Sequence, residues 1–485
     1  MTIPRRLWEC GIVLVIAAVY LSHLAPGHNF GDDDFGAYVM HAANLVEGRP
    51  YTAIHYIPNP ETLWLVVPPE GYPPVYPSLL APVYRIWGLN LRPLKVMTVL
   101  CFAGFLLVFS EFLRPYLSPL LSSCALLVVG FNPAFWGHRN ALLAEFPYLL
   151  FSFAALLAIQ RAYRNLSADQ WRIGTAALVG LLVYLAYGTR IVGIVLLPAL
   201  VLADLIKFRK PSRFLMSALV VAIGLITLQN LLIFAPAGYS GALQHSVRMG
   251  LGNALFYAKT LSYAWQNGFS KKVQIIFALL FTALAAMSFV RSLWTRRSAT
   301  EFYLLGYVAV LLLWRAEIGM RGLLPILPLY FAFGLESFGW IVNRYEQMTR
   351  IACVSLLLLF VGASYGNEIH KESQQPPEPN IQDPAALELF SFVRANTQQS
   401  DVLVFLKPRV LALMTNRTVA MLAPAEPPEE SARFIGSINA SIVVTAKWGS
   451  SSAEAYLEGH QAHVQEVFRN AEYQAFRVLP EKAGP

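Results

Sequence analysis

The sequence is organised by recurrent apolar runs of about 20 residues, the length at which a helix rising 1.5 Å per residue crosses a hydrocarbon layer. About eleven such runs follow one another. They cover residues 8–25, 94–113, 118–136, 141–160, 172–188, 190–206, 214–235, 273–290, 301–315, 322–342 and 350–366. Backbone polar groups in lipid must be satisfied within their own segment, which restricts such runs to helices. Only 14% of the 485 residues are charged, against about 25% in an average soluble chain. This deficit extends along most of the chain and excludes a soluble protein with one anchor. The first run follows Arg5-Arg6 as a signal peptide would, but no small-residue cleavage site closes it, so it reads as a retained helix.

The net charge of +8 is not gathered on one basic face, so no nucleic-acid partner is expected. The basic residues fall in short clusters between apolar runs. With the N-terminus inside, alternation of the runs puts Arg5-Arg6, Arg161/Arg164/Arg172, Lys207/Arg209/Lys210/Arg213, Arg291/Arg296/Arg297 and Arg344/Arg350 on the cytoplasmic side, as the positive-inside rule requires. The expected fold is a polytopic α-helical membrane protein with about 11 transmembrane helices and a C-terminal soluble α/β domain. The expected division is a transmembrane domain over 1–370, with an external loop at 26–93, and an external α/β domain over 371–485.

The external loop contains Asp32-Asp33-Asp34, an amphipathic stretch from Phe35 to Glu47, and the segment Gly71-Tyr72-Pro73-Pro74-Val75-Tyr76-Pro77. Clustered prolines cannot continue a regular span, so Ser78 to Gly88 is expected as a short interfacial amphipathic helix. In the tail, Gln374 to Pro384 is a polar linker and Asp383-Pro384 opens a helix to about Asn396. Strands are expected at Val402–Phe405, Val419–Leu422, Ile442–Thr445 and Tyr473–Val478, with helical patterns at Glu429–Ile438 and Ser452–Asn470. The tail contains no glycine-rich phosphate loop, metal-ligand cluster or obvious nucleophile, and Cys10, Cys101, Cys124 and Cys353 lie in or beside apolar runs without metal-site spacing.

Three adjacent aspartates repel one another and resist simultaneous ionisation, so a cation is expected to offset them. They suit a catalytic carboxylate with tuned neighbours, a hard divalent cation, or a solvated turn with Asp34 capping the next helix. Arg139, Arg190, Arg315 and Arg321 map to external helix ends, against the positive-inside trend. Singly, each is explained by snorkelling to headgroups; jointly, they suit a phosphate, whose oxygens match the guanidinium fork. Glu145, near the outer end of its run, needs a partner or a function, and an ion pair with Arg139 is its structural alternative. Glu61 and Glu70 read as solvated acids, and His55, His138 and His245 as dispersed loop or interfacial residues.

The stretch Asp32-Asp33-Asp34-Phe35-Gly36-Ala37-Tyr38, followed by Ala43-Asn44-Leu45 and Glu47-Gly48-Arg49-Pro50-Tyr51, resembles the start of the external loop of GT-C glycosyltransferases. It is most similar to their protein mannosyltransferase and aminoarabinose transferase-like branch, which depends on polyprenyl-phosphate sugars. The resemblance continues in Tyr72-Pro73-Pro74-Val75-Tyr76-Pro77, Leu143-Ala144-Glu145-Phe146-Pro147, Thr189-Arg190-Ile191-Val192-Gly193 and Lys407-Pro408-Arg409. It implies an acid after the first membrane helix as the base that activates the acceptor. Asp34 or Asp33 matches that acid best and Asp32 least, although the family commonly has Asp-Glu there. It also implies a polar cavity lined by Glu145 and Arg190, to which Tyr72 and Glu70 are added, while Arg139, Arg321 and Arg315 are phosphate-binding candidates from topology alone.

The implied activity is inverting transfer of a hexosyl or pentosyl group from a polyprenyl-phosphate donor to an acceptor hydroxyl, on the external face of what would be a bacterial inner membrane. The acceptor is an open choice among glycan, lipid and protein. No cofactor is required by the resemblance; a divalent cation on the aspartates stays open. The alternative is a transporter or a lipid or glycan flippase.

Overall fold

The computed structural model describes residues 4–62, 71–164, 172–233, 247–375, 378–449 and 451–479, and a helix lies on each of the apolar runs. Six described helices are long and apolar enough to cross a membrane: Leu91–Leu113, Glu145–Arg164, Ile191–Phe208, Arg213–Leu232, Lys271–Thr295 and Gln347–Ser373. The pair Pro119–Phe131 and Pro133–Asn140, bent by 41°, makes a seventh if it is one span; Ile173–Thr189, Ala299–Leu313 and Leu327–Val342 are apolar but shorter. The chain is an integral membrane protein built from helices, with one small sheet. Local chemistry starts these helices: the Ser118 and Ser212 hydroxyls accept from the Leu121 and Leu215 amides, and Ser298 with Glu301 forms a reciprocal capping box.

The described residues divide into two compact units. The helical unit comprises residues up to Leu24, Lys95–Ile233 and the stretch up to Gln375. Charged groups lie at both ends of its helices. At one end Glu111 pairs with Arg6 (3.4 Å), Arg114 (2.8 Å) and Arg161 (2.7 Å), and buried Glu9 pairs with Arg5 (2.8 Å). Arg161 and Glu145 stand at opposite ends of the helix Glu145–Arg164.

The second unit joins Ala25–Leu94 to the residues after Pro376 around a six-stranded sheet. Its strands are β1 (Tyr56–Ile57), β2 (Val402–Val404), β3 (Thr418–Ala420), β4 (Ala440–Ala446), β5 (Val464–Arg469) and β6 (Tyr473–Val478). They lie in the order β1-β3-β2-β4-β6-β5, the first four parallel and the last two antiparallel to their neighbours. The first loop therefore contributes a strand to the tail's sheet. The Ser452–Asn470 pattern is not one helix: Ser451–Gly459 is helical and β5 follows. Glycine is a weak helix former, and β5 gains a backbone ladder against β6 from Val464 onward.

The loop helix Asp34–Glu47 packs against the tail helix Pro408–Thr415. The approach is close because Gly36 has no side chain: a Cβ there would stand 2.5 Å from the Arg409 carbonyl oxygen and 2.7 Å from its carbon. Gly36→Ala must separate the two backbones and is expected to cost about 1–3 kcal/mol. The thermal midpoint of the purified protein should fall accordingly; an unchanged midpoint would show that this packing is not tight.

Candidate active site

In the second unit the sequence places Asp34, Tyr38 and His41 at spacings of four and three residues, on one face of the helix Asp34–Glu47. All three grip Tyr72. The Tyr72 hydroxyl donates to Asp34 Oδ1, its ring stacks on Tyr38 with centroids 4.5 Å apart, and its backbone N–H donates to His41 Nε2 at 3.1 Å. His41 Nδ1 lies 2.7 Å from the Tyr51 carbonyl oxygen, which requires Nδ1–H and leaves Nε2 as an acceptor. Burial holds the His41 imidazole down at about 3 and hence neutral.

Arg409 completes this group. Its guanidinium is 1% exposed, and Nη1 donates to Asp34 Oδ1 at 3.0 Å and to the Tyr72 hydroxyl at 2.7 Å. The Tyr56 and Tyr72 rings each lie 5.2 Å from the guanidinium carbon. Asp33 acts on the backbone beside it: Oδ1 accepts the N–H groups of Arg409 and Val410, both at 3.1 Å, at the start of the helix Pro408–Thr415. A carboxylate there satisfies amides that have no partner within the helix and meets the positive end of its dipole. Lost hydration nevertheless pushes the Asp33 carboxyl up from 3.8 to about 6, against the pull of Arg409, the Val410 amide and Lys407. Lys407 itself donates to the Gly31 carbonyl at 2.9 Å, and the Asp32 N–H donates to Asn29 Oδ1 at 3.4 Å. Thus the offsetting cations expected of the aspartate triad come from the tail. Among the described residues no group of three or more His, Cys, Asp or Glu side chains is arranged to hold a metal ion.

In the helical unit Glu145, 1% exposed, receives two guanidinium groups on Oε1, from Arg190 Nη1 and Arg321 Nε. The sequence separates these residues by 45 and 176 positions, yet the ends of three apolar segments bring them together. Arg139 does not join them: it stacks over Trp136 at 4.2 Å, donates to the Trp136 carbonyl at 2.9 Å and lies 3.9 Å from Glu372. The alternative Arg139–Glu145 pair is thus replaced by Arg190 and Arg321. Arg315 is exposed in the bend after the helix Ala299–Leu313. Glu70 and His245 lie outside the described residues.

Sequence reasoning missed His41 and Arg409 as site residues. Arg409 lies within a segment that carried the family resemblance, but its partners are 337 and 375 positions away. His41 carried a local signal, its shared helix face with Asp34.

No protein-family model matches this sequence, and no curated protein matches it by sequence. Solved structures do match by fold. The archaeal oligosaccharyltransferase AglB from Archaeoglobus fulgidus, in complex with an inhibitory peptide and a dolichol-phosphate, aligns over 95% of this chain and 72% of its own, with 13% identity and a TM-score of 0.60. ArnT from Cupriavidus metallidurans in the apo state aligns over 99% of both chains, with 14% identity and a TM-score of 0.58. Both structural neighbours are members of the GT-C superfamily. The chain has their fold, as the sequence resemblance implied.

The upward displacement of Asp33 sets a pH dependence. An unfolded chain ionises Asp33 near its ordinary 3.8 and the folded chain near 6, so between these values the unfolded state binds fewer protons and stability falls as pH rises. Above about 6 the penalty is constant. Compared with wild type, Asp33→Asn should therefore gain thermal midpoint as the pH is raised from about 4 to about 6; parallel profiles would count against the displacement.

Proposed function

We propose that this chain is a glycosyltransferase that moves a sugar from a polyprenyl-phosphate donor to an acceptor hydroxyl, inverting the anomeric carbon. The observation that carries this reading is the Asp34–Tyr72–Arg409 group: a partly exposed carboxylate held by a hydroxyl and a buried guanidinium on one oxygen. The GT-C fold supports it, and the AglB structure contains a dolichol-phosphate. That fold does not favour the transporter or flippase alternative.

In the proposed reaction Asp34 takes the acceptor hydroxyl proton as the oxygen attacks the anomeric carbon. The bond from that carbon to the phosphate oxygen breaks, and polyprenyl phosphate leaves with the electron pair. Arg409 and Tyr72 hold and orient Asp34, while Asp33 positions the Arg409 backbone. Arg190 and Arg321, aligned by Glu145, supply charge to the donor phosphate; Arg139 and Arg315 are less suited because neither shares this arrangement. No divalent cation is assigned to the aspartates, because Asp33 and Asp34 already accept from the protein's own donors. The topology proposed is eleven spans, with the first loop and residues 371–485 on the external, periplasmic side of a bacterial inner membrane. The acceptor class and the sugar are left open by this chemistry.

The test follows release of polyprenyl phosphate from a labelled polyprenyl-phosphate sugar in membranes containing the full chain. Asp34→Asn should slow transfer by about 10²–10⁴ when assayed well below its thermal midpoint, which should itself fall because the variant removes the carboxylate partner of buried Arg409. Full activity in an Asp33→Asn, Asp34→Asn double variant would overturn the assignment. In the same assay Arg190→Gln should raise the donor KM more than Arg190→Lys does, because lysine keeps the charge but not the fork; equal effects would remove the guanidinium from the phosphate-binding role.

A further inference from the structure

The stretch from Leu205 through Thr300 contains no Asp or Glu. Within it the helix Val247–Ser262 presents an unusual pair of faces. Its buried side consists of Asn253, Tyr257 and Thr260, polar or polar-tipped residues at spacings of four and three. Its exposed side carries Leu251 and Leu255, 64% and 75% exposed, with Ala254 and Ala258 between and after them. A helix facing water has the reverse arrangement.

Its neighbours fix its level. Asn253 Nδ2 donates to the carbonyl oxygens of Leu312 (3.0 Å) and Trp314 (2.8 Å), where the apolar helix Ala299–Leu313 ends. Gln274 Nε2, in the first turns of the long helix Lys271–Thr295, donates to the Ser262 carbonyl at 3.0 Å. The helix therefore sits where one apolar helix ends and another begins, away from Arg296-Arg297 in the connection between those two. Exposed Arg248, Lys259, Lys271 and Lys272 lie on it or at the start of Lys271–Thr295, and Tyr263 and Phe269 are exposed between them. Aromatic rings and basic residues at a span's end mark the water–lipid boundary.

We infer that the helix Val247–Ser262 lies in the headgroup layer, with Leu251 and Leu255 in the acyl boundary and Arg248, Lys259, Lys271 and Lys272 holding anionic lipid headgroups. The occupant is an anionic lipid surface: the apolar face requires hydrocarbon, and the four cations exceed the neighbouring acids Glu317, beside Tyr257, and Glu368, which accepts from Gln266. Under the positive-inside rule these cations would belong on the other side of the membrane; a headgroup-binding role accounts for them here. The inference is independent of the proposed activity.

A photo-crosslinking amino acid at position 255 of the full chain, in nanodiscs containing equal phosphatidylglycerol and phosphatidylcholine, tests it by mass spectrometry of the adducts. The expected result is lipid adducts with a several-fold excess of phosphatidylglycerol. That excess should disappear in the Arg248→Gln, Lys259→Gln, Lys271→Gln, Lys272→Gln variant at unchanged thermal midpoint, since each cation contributes up to about fivefold. Equal labelling of the two lipids, crosslinks to a second copy of the chain, or no lipid adduct would each overturn the inference.

Discussion

A buried guanidinium is the interaction on which the second unit depends. Removing a charge from water costs several kcal/mol, and the cost is recovered only with good partners. Arg409 has them in Asp34 and the Tyr72 hydroxyl, with two tyrosine rings against its faces. The contact links the tail helix to the first loop, and Asp33 reinforces it by accepting the amides at that helix's start. One pair of adjacent aspartates thus performs two different electrostatic tasks, set by geometry rather than by sequence position.

The helical unit repeats the solution with the signs reversed. There a buried carboxylate, Glu145, is surrounded by two guanidinium groups. Each guanidinium is a planar fork of donors of the kind that matches phosphate oxygens. Fixed by a shared carboxylate, the arginines lose less conformational freedom on meeting an anion than two independent long side chains would.

Much of the fold was legible because its signals are local. Apolar runs of span length became helices, Asp383-Pro384 opened the helix Pro384–Asn396, and the strand patterns at Val402, Val419, Ile442 and Tyr473 were found in the sheet. What escaped depends on partners distant in sequence. β1 has only two residues and exists because Tyr56 and Ile57 meet Val419 and Ala420. β5 was hidden in a helical pattern until its ladder with β6 was visible. Among the candidate residues, the aspartates of the second unit and Arg190, Arg321 and Glu145 of the helical unit stood out as charges in costly places, whereas the partners of each group did not. Arg409 in particular lies in a segment that carried the resemblance, yet nothing in its neighbours reveals that it is buried.

The environments also discriminate among the three aspartates. A base must combine an ionised state with access to the acceptor's proton. Asp33 is poorly suited: Oδ1 is committed to two backbone amides, and its ionised form is opposed by lost hydration. Asp32 lies before the helix and outside the Tyr72–Arg409 group. Asp34 is bonded through Oδ1 to a hydroxyl and a guanidinium, which fix its direction, and its side chain remains 22% exposed. In the proposed reaction the acceptor oxygen gains positive charge as it bonds to the anomeric carbon, so a carboxylate held as Asp34 is would take the proton late in bond formation.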